Sequence, residues 1–315
     1  MPNIDYKEIF ETLVQKTAYY IVSNGLKSMV LGISGGIDST VCAAICHEVQ
    51  MSIGIPLIGR SLPTGFNKEG ETTTADLVGK AFCNDYKVCP IQEIYEDFIL
   101  HIRDCEMPLG IWSGSDYQTP VANGNIQARL RMIHLYNLAS INKGLVIDTD
   151  NLTENNLGYF TIHGDVGDLN PIGGLWKTEV FGLAKYLVDF YTNRSKIYSD
   201  CSRSEEDIKK ADAITRSLAL IPTAGLGITN SDLEELGADS YEQVDTILKS
   251  LIKWVEGNYQ ESFFHEVEES LKTWMSETKN IPELKDIPEK IIESVSKRFV
   301  NSSYKRKHLP IKIKI

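Results

Sequence analysis

The chain has 315 residues, 42% of them hydrophobic, and a formal net charge of −11, a length that allows one large domain or two. The acidic balance argues against a general nucleic-acid surface, which needs clustered lysine and arginine. No apolar run approaches a membrane span and no cationic segment precedes an apolar block at the N-terminus, so neither a membrane nor secretion is expected and the cytoplasm is the default compartment.

Helical periodicity at Ile9, Leu13, Ala18, Ile21 and Val22 predicts a helix over 5–23, stopped at Gly25 and packed on a sheet or on a second subunit. Strand and helix then alternate: strand 28–33, helix 38–50, strand 55–61, helix 68–82, a weak strand near 87–91 and a helix near 92–104. Residues 107–124, rich in Pro, Gly, Ser and Asp, predict a loop before a helix over about 125–142 and a short strand at 144–148. A Gly-rich loop covers 163–174, and helices are expected at 177–191, 204–217 and 241–256. The stretch 257–300 is charged, amphipathic and helical in pattern, and 301–315 is a basic tail. This alternation predicts an α/β fold, a doubly wound, mostly parallel sheet with helices on both faces and ligands beyond the strand carboxyl ends. We read residues 1–315 as one domain with a helical elaboration at 246–300. Cys42, Cys46, Cys83, Cys89, Cys105 and Cys201 contain no CxxC pair and read as structural thiols.

The apolar run Met29 to Ile33 suits a strand buried on both faces, and Gly35 and Gly36 let the backbone approach an anion. A helix start offers unpaired N–H groups and a positive dipole end, so 34–39 can cradle phosphate without a lysine. Asp38 would repel phosphate unless a cation intervened, and Mg²⁺ suits one or two carboxylates plus phosphate and water. A bare connecting turn is the competing reading, and the flanking serines and Asp38 weigh against it. The loop resembles the pyrophosphate loop of the ATP pyrophosphatase superfamily, in which ATP is cut between its α and β phosphorus atoms.

Thr149 to Glu154 repeats that logic: a strand end followed by polar residues opening a helix. Capping suits Asp150 and leaves Glu154 for metal. Alone it would read as a helix cap, but with Asp38 at another strand end a shared Mg²⁺ site is expected. Farther on, Asp165 and Asp168 lie in a Gly-rich loop where the backbone can approach a ligand, although a plain surface loop and a structural His163 are the default readings there.

These segments, with Arg60-Ser61-Leu62-Pro63-Thr64-Gly65, residues 124–132, Pro222-Thr223-Ala224 and Tyr304-Lys305-Arg306, occur in the order seen in NAD synthetases. The chain resembles the ammonia-dependent members of that family over about residues 5–245 and the tail. The resemblance implies that Gly32, Ile33, Ser34, Gly35, Gly36, Ile37, Asp38 and Ser39 bind ATP phosphates. It adds Arg60, Thr149, Lys177 and Thr223 to the ATP site and Asp38 and Glu154 to Mg²⁺. By the same resemblance Arg129, Asp168, Tyr304 and Lys305 contact deamido-NAD, and Asn125, one helical turn before Arg129, shares that contact. Asp165 would stand beside the reacting carboxyl group as the base, with Asp38 also counted as catalytic. A homodimer and free ammonia, or ammonia from a separate glutaminase, are expected by the same route.

There are departures. Many bacterial relatives carry lysine and tyrosine where this chain has Ile162 and His163, the loop through 165–177 is one residue shorter, and 246–300 is longer than usual. Two other readings stay open: another ATP pyrophosphatase-type amidotransferase or tRNA-modifying enzyme would share the 34–39 loop but not 149–168. A non-enzymatic adenine-nucleotide sensor of similar fold could bind ATP but would not need Asp38, Glu154 and Asp165 together.

Overall fold

The computed structural model describes residues 4–65, 67, 69–106, 118–198, 202–221, 231–258 and 267–306. Strands β1 (Met29–Gly32), β2 (Leu57–Ser61), β3 (Asp85–Val88) and β4 (Leu145–Ile147) form one parallel sheet in the order β3-β2-β1-β4. The order reverses between β1 and β4, which sets a crevice at their carboxyl ends.

Side chains of the central strands alternate between two cores, as a strand period of two requires. Met29, Leu31, Leu57, Leu145 and Ile147 face α1 (Tyr6–Ser23), α2 (Ile37–Ile53), α3 (Glu69–Phe82), α7 (Lys177–Ile197) and α8 (Ser202–Leu218). Val30, Ile58 and Val146 face the other way, toward Met132, Leu135 and Ala139 of α5 (Gln118–Ile141), with α4 (Gln92–Glu106) beside it. Helices thus cover both faces, as the alternation predicts. The first helix packs on α2 and α7 rather than directly on the sheet.

Several boundaries differ from expectation, among them the end of α7, which runs six residues past 191 to Ile197. Helix α5 begins at Gln118, so 118–124 is helical although it carries Pro120 and Gly124. Pro120 lies in the first turn, where its missing N–H would have no intrahelical partner anyway. Strand β3 pairs Ile58 with Asp85, two residues earlier than the expected start. Arg60 fixes that register by donating to the Asp85 backbone oxygen at 3.0 Å and to its carboxylate at 2.8 Å.

A third core lies beyond the sheet. Here α10 (Tyr241–Asn258), α11 (Val267–Glu277) and α12 (Glu289–Asn301) enclose Val244, Ile247, Trp274, Val295 and Phe299, with Leu157 of α6 (Leu152–Leu157) inserted among them. Trp274 is fully buried, and its indole N–H donates to Ser296 Oγ at 3.1 Å, so its polar atom is satisfied. Helices α10 and α12 therefore back the short helix that follows β4. The outer edge of β4 is closed by 168–169: Ile147 bridges Leu169, and the Val146 N–H donates to Asp168 Oδ2 at 2.9 Å. That contact takes a ladder group that would otherwise be open to another strand.

Candidate active site

A cleft of about 620 Å³ opens at the carboxyl ends of β1 and β4. One wall is the 33–39 turn. Gly35 adopts φ +86°, and a Cβ there would collide with the backbone of Glu71 and Ala75, so only glycine fits. Gly36 caps α2 with no side-chain hydrogen bond, which leaves the first N–H groups of α2 available to a ligand. Ser34 Oγ and Ser39 Oγ are 2.9 Å apart, and Ser217 Oγ holds the Gly35 carbonyl at 2.9 Å, so the turn is braced from within and from α8.

The opposite wall is the start of α6. Asn151, not Asp150, is the N-cap: its side chain accepts from the Glu154 N–H at 3.0 Å, and Glu154 Oε2 accepts from the Asn151 N–H at 3.2 Å. This capping box orients Glu154 while leaving its other oxygen for the cleft. Asn151 also donates to Asp38 Oδ1 at 2.8 Å, joining the two walls.

Between the walls stands Lys177, the first residue of α7 and only 1% exposed. Its Nζ donates to Asp38 Oδ2 at 2.6 Å and to Glu154 Oε1 at 2.8 Å. Burial opposes a charge on this ammonium, but the two carboxylates outweigh it and hold its pKa well above the ordinary lysine value. Burial and the neighbouring Asp38 charge push Glu154 up to about 7, with Lys177 pulling the other way. The helix starts are fixed from α10: Asp245 accepts from Thr153 Oγ1, and from Thr178 N and Oγ1 at 3.0 and 2.7 Å.

Asp165 lines the same cleft, accepting from the Thr161 N–H at 2.6 Å. Burial raises its pKa to about 6 against that hydrogen bond. Thr161 Oγ1 donates to Asn125 Oδ1 at 2.7 Å, which brings α5 to this end of the cleft. Lys305, just after α12, donates to the Gly158 and Phe160 carbonyls at 2.7 and 2.6 Å, with the half-exposed Tyr304 beside it.

Of the residues expected from sequence, Gly32, Ile33, Ser34, Gly36, Ile37, Asp38, Ser39, Arg60, Thr149, Glu154, Asn125, Asp165, Lys177, Tyr304 and Lys305 line the cleft. Gly35 lies in the same turn. Arg60 reaches the wall with guanidinium donors committed to Gly59 and Asp85. Arg129 and Asp168 are brought elsewhere. Arg129 is exposed on α5 and donates to the Ile162 carbonyl at 3.2 Å; Asp168 accepts from Val146 and, at 3.1 Å, from the Tyr136 hydroxyl. Thr223 lies outside the described residues.

Sequence reasoning missed Asn151, Asp232 and Arg131. Asn151 three residues before Glu154 is itself a capping-box signature. Arg131 lines the cleft and donates to the Leu62 carbonyl at 3.0 Å. Asp232, at the start of α9 (Asp232–Leu236), also lines it: Oδ2 accepts from the Tyr241 hydroxyl at 3.1 Å, and Oδ1 has no hydrogen-bond partner among the described residues. No local pattern marked it.

The donor set fits a hard divalent cation. Among the described residues no cluster of three or more acidic, histidine or cysteine side chains forms a complete metal site. Asp38 and Glu154 already share one cation, the lysine ammonium, through oxygens on opposite walls. Mg²⁺ takes few carboxylates and completes its shell with phosphate and water, which matches this pair beside the uncapped start of α2.

A family model described as NAD synthase matches residues 9–309. The chain belongs to the NAD synthase family. It is a C–N ligase of NAD synthesis that uses ATP, on an α/β fold of the adenine-nucleotide α-hydrolase type. It is 32% identical over 249 residues to an NH(3)-dependent NAD(+) synthetase of Campylobacter jejuni, covering 79% of this chain and 85% of that one. A solved NMN synthetase from Francisella tularensis superposes with a TM-score of 0.70 at 25% identity, covering 99% of this chain and 100% of that one. The solved NH3-dependent NAD synthetase from C. jejuni shares the fold, with a TM-score of 0.64 at 24% identity and coverage of 99% and 100%. NAD synthases therefore account for nearly all of the chain, including much of the helical region beyond the sheet.

Proposed function

We propose that this NAD synthase transfers AMP from Mg-ATP to the carboxylate of deamido-NAD and then lets ammonia displace AMP, giving NAD. A carboxylate oxygen attacks the α-phosphorus and pyrophosphate leaves; nitrogen then adds to the activated carbonyl, loses a proton and expels AMP. The observation that carries this reading is the convergence of Asp38 and Glu154 on one cation beside the uncapped start of α2.

The N–H groups opening α2 would bind the β and γ phosphates, and Lys177 would meet their charge. A Mg²⁺ held by Asp38 and Glu154 would supply further charge neutralisation on the leaving pyrophosphate. Asp165, with its pKa pushed up to about 6, is suited to accept the proton released when ammonia adds. Thr223 remains our candidate at the terminal phosphates, and Tyr304 and Lys305 at the dinucleotide.

Arg129 and Asp168 enter the same reading through a second copy of the chain. Helices α4 and α5 leave Ile94, Phe98, Ile133, Tyr136 and Ile141 exposed. Arg129 shares that side of α5 with Ile133, and Asp168 is bonded to Tyr136. A homodimer through this face would bury the apolar side chains and place both residues where substrate can lie between subunits. No described helix is long and apolar enough to cross a membrane, and we assign the reaction to the cytoplasm.

The test is an assay of purified protein with ATP, Mg²⁺, deamido-NAD and ammonium, following NAD and AMP. Formation of ADP, or no NAD, overturns the proposal. Nicotinate mononucleotide belongs in a parallel arm: Ile162 lacks the cationic side chain of many relatives, and the full-length superposition with an NMN synthetase favours trying that acid. A rate with glutamine alone equal to that with ammonium would refute free ammonia as the nitrogen source.

A further inference from the structure

Lys177 occupies the seat that a metal would need. Its ammonium bonds one oxygen of Asp38 and one of Glu154, and the other two oxygens are taken by Asn151 side-chain and backbone donors. A divalent cation binding this pair must evict the ammonium. At 1% exposure Lys177 cannot simply turn to water, because removing a buried charge from its partners without another acceptor is strongly unfavourable.

A second acceptor stands close by. The Lys177 ammonium lies 5.6 Å from the centre of the Tyr241 ring, and the hydroxyl of that ring donates to Asp232 Oδ2 at 3.1 Å. Asp232 is 4% exposed, and its Oδ1 is a buried acceptor without a partner among the described residues. Such atoms are uncommon in folded proteins and call for an explanation. Burial raises the Asp232 pKa, and Lys177 is the charged neighbour that most strongly lowers it, which places the two within electrostatic reach. Tyr241 thereby holds a carboxylate ready with one oxygen unspent.

Resting on the nucleotide site proposed above, we infer that Lys177 is a displaceable occupant of the metal seat and that Asp232, held by Tyr241, receives its ammonium when the divalent cation arrives with ATP. Asp232 is then a positioning residue acting through Lys177. In its second seat the ammonium is no longer shared between Asp38 and Glu154, and the cleft keeps its positive charge after the metal enters. The consequence is an order of binding: the metal is poorly held by the free protein and well held together with the nucleotide.

The test uses Mn²⁺ as probe and α,β-methylene ATP, which cannot be cleaved at the α–β position. Free Mn²⁺ is titrated by electron paramagnetic resonance, and binding of the preformed Mn–analogue complex is followed by calorimetry. Without nucleotide, Lys177→Met should bind Mn²⁺ about tenfold more tightly than the unmodified protein, the size of an ordinary coupling between competing ligands. Asp232→Asn should weaken binding of the complex about tenfold, and this loss should vanish in the Lys177→Met background. A loss that persists in that background would mean that Asp232 touches the nucleotide or merely supports the fold, and would overturn the inference. So would an unaltered Mn²⁺ affinity in Lys177→Met. If that variant fails to fold, Lys177→Gln keeps a hydrogen-bond donor between the carboxylates and gives the same reading. Failure of the unmodified protein to bind the complex at all would instead sink the nucleotide site itself.

Discussion

Arg306 donates through Nη1 to the carbonyl oxygen of Asn156 at 2.6 Å, bonding the segment after α12 to the helix that carries Glu154. The last carbonyls of a helix have no intrahelical partner. Here Arg298 takes that of Leu157 at 2.9 Å, and Lys305 takes those of Gly158 and Phe160. We expect Arg306→Ala to cost about 1–3 kcal/mol in urea unfolding, since it removes charge-assisted hydrogen bonds to the Asn156 and Phe299 carbonyls. Hydrogen exchange should quicken over 156–165 and stay unchanged in β1 and β2. Protection of 156–165 equal to that of the unmodified protein would show that Arg306 does not hold this turn.

Replacing Asp38 by Asn removes one of the two carboxylates facing Lys177. Pyrophosphate release should fall by about 10²-fold or more, the scale seen when one preorganised electrostatic partner of a transition state is lost. Circular dichroism should remain native. Unchanged turnover would exclude a metal role for this residue.

Asp165 gives opposite pH trends for stability and rate. Burial raises its folded pKa to about 6 from the ordinary value of 3.8. A carboxyl group raised in the folded state favours folding when protonated, so its contribution is complete below about 3.8 and is lost as pH rises through about 6. The base form appears over the same interval, so kcat/KM should climb as stability declines. In Asp165→Asn both slopes assigned to this group should disappear, the asparagine oxygen still accepting from Thr161. A rate profile unaltered in shape would rule out Asp165 as the base.

How much of this was legible follows from how local each feature is. The β1–turn–α2 unit rests on consecutive residues: an apolar run, two glycines and a helix start. Both walls of the cleft were readable because each is a strand end followed by polar residues. The bond between Lys177 and Asp38 spans 139 residues, and only the family resemblance, not spacing, drew Lys177 into the site. Asp232 had no such help: its role depends on Tyr241 and on burial, neither visible in a local pattern. Pro120 and Gly124 misled because the same residues that mark loops are tolerated in a first helical turn or a buried helix face. Asp150 was expected as the cap because Asp and Asn serve equally well there, and the backbone placed Asn151 at that position.

The exposed face of α5 yields a test of assembly. Ile133 is 67% exposed and Ile141 70% exposed, so neither contributes to the core of one subunit. Light scattering of the unmodified protein should report a dimer, and Ile133→Asp should shift it toward monomer with an unchanged circular dichroism spectrum. A monomeric unmodified protein would refute the proposed pairing.

The bond from Val146 to Asp168 has a further meaning for recognition. Asp168 is pinned to the edge of a buried strand by its carboxylate and to α5 by Tyr136. Its side chain has therefore already given up its rotational freedom before any second molecule approaches. A ligand group that meets it finds the acceptor fixed by the sheet, and little further ordering is required for the contact. Strand order thus extends to the rim of the subunit: the residue that seals the sheet against another strand also presents a rigid negative charge to whatever docks beside it.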